Sequence, residues 1–157
     1  MTSIAKFSAF AAGLLCATSA WPADFQVKRS LELPSSTPLV WQQIGDFCDI
    51  DDWHPKVSSC ALKAMDGSLV RVLTTDTGEE VTQKRIAREE GLSYTYKTVS
   101  SSLPIEKFTA TLSVQPGETL LIEWIANFSS DDPDMESVVV DDIEAGLSAI
   151  ERILASR

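Results

Sequence analysis

The chain has 157 residues, with 13 Lys and Arg against 23 Asp and Glu, and a net charge of −10 at pH 7. So acidic a surface repels phosphate backbones and anionic lipid, which argues against nucleic-acid binding and leaves a cationic partner open. The length suits one domain with a real core, and the sequence shows no internal repeat, low-complexity tract or second domain.

Residues 1–20 read as an export signal. Lys6 supplies the positive start, FSAFAAGLLCA is apolar and uncharged, and Thr18-Ser19-Ala20 places small residues where a signal peptidase cuts. Cleavage is expected after Ala20, with Ala23 the second choice, and the apolar run is too short for a stable membrane anchor. The expected domain then spans 24–157 and is periplasmic or secreted. Cys16 leaves with the signal. Cys48 and Cys60 remain, an even pair in a compartment where disulfides persist, and a bond between them is favoured over two buried thiols. Two cysteines and the single histidine, without a CxxC, match zinc spacing poorly. Asp49, Asp51 and Asp52 lack the spacing and glycine of a calcium loop. No metal and no other cofactor is expected.

The elements follow in chain order. Phe25, Val27, Arg29, Leu31 and Leu33 alternate along DFQVKRSLEL, a strand pattern with one charged exception, and Pro34 stops it. Ser36-Thr37-Pro38 opens a helix carrying Val40, Trp41 and Ile44, which Gly45 ends. DFCDI forms a second helical turn leading into Trp53-His54-Pro55. The period then changes to that of strands: VSSCALKA, SLVRVLTT, EEVTQKRIAREE, LSYTYKTV, KFTATLSV and TLLIEWIANF, separated by Asp66-Gly67, Thr77-Gly78, Glu90-Gly91, SSSLP and Pro116-Gly117. From Asp132-Pro133 a long helix is predicted, with Val139, Ile143, Leu147, Ile150 and Leu154 as one apolar stripe. Its acids gather in the first half and Arg152 and Arg157 near the end, which suits the helix dipole. The order is strand, helix pair, six-strand meander, long helix: an α+β chain whose strongly curved antiparallel sheet wraps around the C-terminal helix.

This layout resembles the helix-grip, START-like fold of the SRPBCC superfamily. The closer resemblance lies in WQQIGDFCDIDDWHP, the downstream Cys60, GSLVRVLTTDTGEEV, YTYKTVSSSLPIEKFTATLSV and EAGL. Together these look like the exported branch of the polyketide cyclase/dehydrase-like family, which includes MxaD-like proteins linked to periplasmic methanol oxidation. The superfamily hosts binding, transport and catalysis on one scaffold, so the resemblance implies a fold more sharply than an activity.

Several residues are candidates for a site. His54 has the chemistry of a general base, with Asp51 or Asp52 to orient it; the favoured reading is that Trp53-His54-Pro55 packs the loop at the rim of the grip. Tyr94, Tyr96, Phe108, Trp124 and Phe128 share one sheet face, joined by Trp41 and Trp53 from the helix region, and read equally as core or as the lining of a ligand cavity. Gly146 sits in the apolar stripe of the last helix, where glycine costs about 1 kcal/mol against alanine. Close backbone packing or room for a ligand would offset that cost. Arg71 and Arg85 each fall in an inward phase and each has a competing phase; an internal cation fixing an acidic ligand group is one reading. A side chain turned to water is favoured, since isolated arginines are seldom buried unpaired. SSDDPDMES reads as a solvated helix start.

The expected function is an exported protein that binds a hydrophobic or amphipathic small molecule in the cavity between sheet and terminal helix. One alternative is an aromatase/cyclase-type enzyme using His54, Tyr94 and Arg71. The other, implied by the MxaD-like resemblance, is a periplasmic accessory protein whose acidic face docks a redox enzyme or a cytochrome.

Overall fold

A computed structural model describes residues 22–34 and 40–156. The expected export signal, the Ser36-Thr37-Pro38 helix start and Arg157 lie outside the described residues. Strand β1 (Ala23–Pro34) alternates as its sequence demands, with Val27 buried and Phe25, Leu31 and Leu33 half-buried between exposed neighbours. Its charged exception is explained by a partner: Arg29 Nε donates to Glu144 Oε1 of the terminal helix at 2.6 Å. Helices α1 (Val40–Ile44) and α2 (Ile50–Trp53) are single turns that bury Val40, Ile44, Ile50 and Trp53.

Six strands follow: β2 (Val57–Met65), β3 (Ser68–Thr75), β4 (Glu80–Glu89), β5 (Ser93–Ser100), β6 (Glu106–Gln115) and β7 (Thr119–Ser130). All seven form one antiparallel sheet in the order β1-β7-β6-β5-β4-β3-β2. The meander is tight because its turns suit the chain: Asp66 and Gly67 both take positive φ, 50° and 70°, as a two-residue hairpin with Asp-Gly requires. The register slips at Val57/Ser59, Thr82/Gln83, Arg85/Ala87 and Glu106/Thr109. Such bulges bend strands and increase their twist, which is what curves this sheet.

The concave face receives α3 (Met135–Ala155). The helix begins two residues beyond the expected Asp132-Pro133, because Asp132 builds the turn before it: its Oδ1 accepts from the Asp134 N–H at 2.9 Å. Val139, Ile143, Leu147 and Ile150 are buried, each contributing about 1.5–3 kcal/mol of hydrophobic burial. Among the described residues, no helix is long and apolar enough to cross a membrane. The structure therefore has the helix-grip architecture that the order of elements implied.

The convex face carries a row set by register: Lys63 opposite Val70, Val70 opposite Lys84, Lys84 opposite Lys97. Val70 is 0 % exposed yet stands apart from the interior core. In the ladder it lies between Lys63, which is exposed, and Lys84, which is half-buried.

Candidate functional site

Between the sheet and the first half of α3 lies a cavity of about 260 Å³. Leu73, Val81, Tyr96, Phe108, Trp124 and Ile143 are among its walls. Its mouth is rimmed by the β3–β4 turn at Asp76 to Glu79, the β5–β6 connection at Ser101 to Leu103, Lys56, and Asp142 on α3. An apolar interior thus opens through a polar ring made by two hairpin connections and one helix.

The aromatic face divides. Tyr96, Phe108 and Trp124 border the cavity, and Trp124 Nε1–H donates to the Tyr96 hydroxyl at 3.2 Å. Phe128 lies to one side, stacked on Phe25 with ring centroids 5.2 Å apart and on Phe108 at 6.0 Å. Tyr94 is packed into the core against Trp41 at 5.9 Å and edge-on to Phe47 at 5.5 Å. Burial pushes its hydroxyl pKa up, and the Arg71 guanidinium opposes that rise. Trp53 packs edge-on against Trp124 at 5.8 Å and borders a separate hollow of about 400 Å³ between α1, α2 and the end of α3. Phe128, Tyr94 and Trp53 shape the cavity wall from behind it.

His54 borders the cavity but has both ring nitrogens engaged. Nε2–H donates to the Asp142 carbonyl at 3.1 Å, and Nδ1 accepts from the Lys56 N–H at 3.3 Å. A carbonyl only accepts and an amide only donates, so the imidazole is the neutral Nε2–H tautomer. Neither Asp51 nor Asp52 orients it. The Asp51 carboxylate accepts from the Cys60 N–H at 2.9 Å, and the acid beside His54 is Asp142, 3.8 Å from Nε2. The ring ties the loop after α2 to α3. Burial holds its pKa below the ordinary 6.5, with the Asp142 charge opposing and Lys56 and Arg71 adding to the depression. A histidine whose pKa is lower folded than unfolded takes up protons on unfolding. Its contribution is complete above about pH 6.5 and is lost as pH falls below that value. Urea unfolding from pH 7.5 to 5.5 should show stability declining with acid, and His54→Gln should flatten that slope.

Gly146 is explained by close packing. A Cβ there would stand 2.7 Å from His54 Cδ2 and 2.8 Å from Trp124 Cζ3. Those rings already lean on each other at 83° with centroids 5.9 Å apart, and Trp53 packs against both, so displacing one disturbs the other two. Alanine would gain about 1 kcal/mol of helix propensity but incur about 2–3 kcal/mol of overpacking. Gly146→Ala is therefore expected to lower stability by about 1–2 kcal/mol in thermal or urea unfolding. A stabilised variant would show that the rings yield.

Arg71 corrects the sequence reading. It does not take the expected solvent-facing orientation: the side chain is 0 % exposed and points inward. Its Nε donates to Gln83 Oε1 at 2.8 Å and its Nη1 to the Phe47 carbonyl at 2.6 Å. Its Cζ lies 4.2 Å from the Phe47 ring centroid and 4.8 Å from that of Tyr96. Rings and acceptors replace the carboxylate that a buried cation usually needs. Arg85 is likewise turned in, half-buried, 5.7 Å from the Phe47 centroid. Cys48 and Cys60 are disulfide-bonded, with Cα atoms 5.5 Å apart, clipping the loop before α2 to β2. The sequence reading passed over Phe47 and Gln83, although Gln83 shares its phase with Val81 and Arg85 on β4.

A curved sheet closed over a terminal helix, with an aromatic-walled hollow between them, defines a helix-grip protein with an internal cavity. The chain belongs to the polyketide cyclase / dehydrase and lipid transport family, whose model matches residues 24–155. It is similar to the protein XoxI from Bacillus cereus (26% identity, 83% of this chain and 95% of that chain, TM-score 0.74). A protein from Bacillus thuringiensis is similar at 28% identity over 83% of this chain and 99% of that chain, TM-score 0.74. The Zhui aromatase/cyclase from Streptomyces sp. R1128 shares the fold at 14% identity over 86% and 96% of the two chains, TM-score 0.67. No curated protein matches the sequence.

Proposed function

We propose that this is an exported protein of the MxaD-like branch that holds a hydrophobic or amphipathic small molecule between the sheet and α3. The observation that carries the reading is the cavity, about 260 Å³ with an aromatic wall and a polar mouth. That volume is close to the lower end of the roughly 300–1,000 Å³ typical of small-molecule sites. His54, Tyr96, Phe108 and Trp124 contact the guest; Trp53, Arg71, Tyr94, Phe128 and Gly146 hold those contacts in place. Export is supported by the Cys48–Cys60 disulfide, since such bonds persist outside the cytosol.

Carriage is favoured over cyclisation because His54 already uses both ring nitrogens and has neither to offer a substrate. Isothermal titration of the mature protein against a panel of lipids and polycyclic aromatic compounds tests the proposal. A single saturable site is expected, with quenching of Trp124. Folded protein that binds no member of the panel would refute it. The docking reading draws on Asp131, Asp134 and Glu136, which are exposed together at the start of α3. Its mark would be a periplasmic partner retained at low salt and released at high salt.

A further inference from the structure

The polar groups on the cavity wall can be counted by what they already bond. His54 has no nitrogen left over. At the exposed mouth, Thr75 Oγ1 is bonded to Thr77 and to the Glu79 N–H and Ser102 Oγ to Glu79, while Ser101 Oγ accepts from the Leu103 N–H and keeps its own O–H. Gln83 is different. Its Oε1 is held by Arg71 Nε at 2.8 Å, and an arginine only donates, so the orientation of the amide is settled. The NH2 end is then directed away from Arg71. It forms no hydrogen bond among the described residues, and Gln83 borders the cavity. Tyr96 stands diagonally across the ladder from it, since Gln83 pairs with Thr98 and Arg85 with Tyr96. The Tyr96 oxygen accepts from Trp124 Nε1–H, which leaves its own O–H to donate. An amide donor of fixed orientation and a hydroxyl donor, backed by a buried guanidinium that has no carboxylate partner among the described residues, stand on one wall of an apolar chamber.

We infer that the cavity selects a guest carrying an acceptor oxygen, a carbonyl or a carboxylate, seated on the Gln83 Nε2–H with the Tyr96 hydroxyl beside it. This deepens the ligand-binding reading above and rests on it. The apolar part of the guest lies against Phe108, Trp124 and Ile143. Arg71 stays behind the wall and acts through Gln83, holding the amide in one orientation and adding positive potential where the oxygen sits. A hydrocarbon of the same shape leaves both donors unpaired, and a site built to donate rejects such a molecule.

The test compares 2-ethylnaphthalene, 2-acetylnaphthalene and 2-naphthoate by isothermal titration, on the wild-type protein and on Gln83→Glu. That substitution keeps an oxygen for Arg71, removes the donor and adds a negative charge that the guanidinium faces, so the fold should survive; Tm is measured alongside. The wild type is expected to bind 2-acetylnaphthalene or 2-naphthoate at least about tenfold more tightly than 2-ethylnaphthalene. In Gln83→Glu, 2-ethylnaphthalene should bind as before, the preference should vanish, and 2-naphthoate should fall furthest because it meets a like charge. Equal binding of all three by the wild type, or a preference that survives in folded Gln83→Glu, would overturn the inference while leaving the cavity proposal standing. Binding of none of the three would also overturn the inference, and binding of no member of the wider panel would remove the cavity proposal with it.

Discussion

Arg71→Ala should lower the unfolding free energy by about 4 kcal/mol, a large share of what holds a domain of this size together. The substitution strips Gln83 Oε1 and the Phe47 carbonyl of their donor, and each buried acceptor left alone costs about 1–3 kcal/mol. It also removes a cation packed on two rings, worth about 2 kcal/mol where water is excluded, and leaves a void. Against these losses stands relief from burying a charge, which is why Ala is not expected to cost more. Arg71→Met separates the contributions. It fills the space and sheds the charge but still orphans both acceptors, so a loss of about 2 kcal/mol is expected. Urea unfolding at neutral pH, with the midpoint shifted and the slope unchanged, is the measurement. A Met variant as stable as the wild type would show that the desolvation of the guanidinium outweighs everything it bonds.

Replacing Cys48 and Cys60 together by Ser should cost about 3 kcal/mol, because the bond closes a loop with a sequence separation of 12. Both residues are only half-buried, so packing adds little to the loss. Reduction of the wild type should reproduce the same shift in urea midpoint. The bond does not act alone. Asp51 accepts from the Cys60 N–H, and Phe47, the neighbour of Cys48, receives Arg71. Residues 47, 48 and 51 therefore each fasten the same segment to β2 or β3. Once the sulfur clip is cut, that segment is partly released, and removal of Arg71 should cost less than it does in the intact protein. A triple variant whose loss equals the sum of the separate losses would show the fastenings to be independent.

How much of this was readable from the residues depends on where each partner lies. The strands were legible because alternation is a property of neighbours: Phe25 to Leu33 and Leu120 to Phe128 declare their inner face without reference to anything distant. The stripe from Val139 to Leu154 declares α3 in the same way. Arg71 was not legible, because β3 is apolar on both faces. Val70 and Val72 compete with Leu69 and Leu73 for the interior, and only the structure shows Val70 buried on the outside between lysines. Gly146 showed that something must approach α3 closely, but His54 and Trp124 come from other parts of the chain and leave no trace in the helix pattern. The cavity mouth had no signature at all. Its rim is built from Thr75 to Glu79 and Ser101 to Leu103, which in sequence mark only the ends of strands. Gln83 shares its phase with Val81 and Arg85, but what orients it is an arginine expected to face water.

The lone imidazole has a practical consequence. With a single histidine in the chain, its two ring nitrogens give one unambiguous pair of 15N resonances that need no assignment. One nitrogen reads the fastening to Asp142 and the other the bend at Lys56, while the ring lies edge-on to Trp124. In 15N-enriched protein the spectrum of that one side chain thus follows occupancy of the chamber and attachment of the helix at once, without any foreign probe being attached.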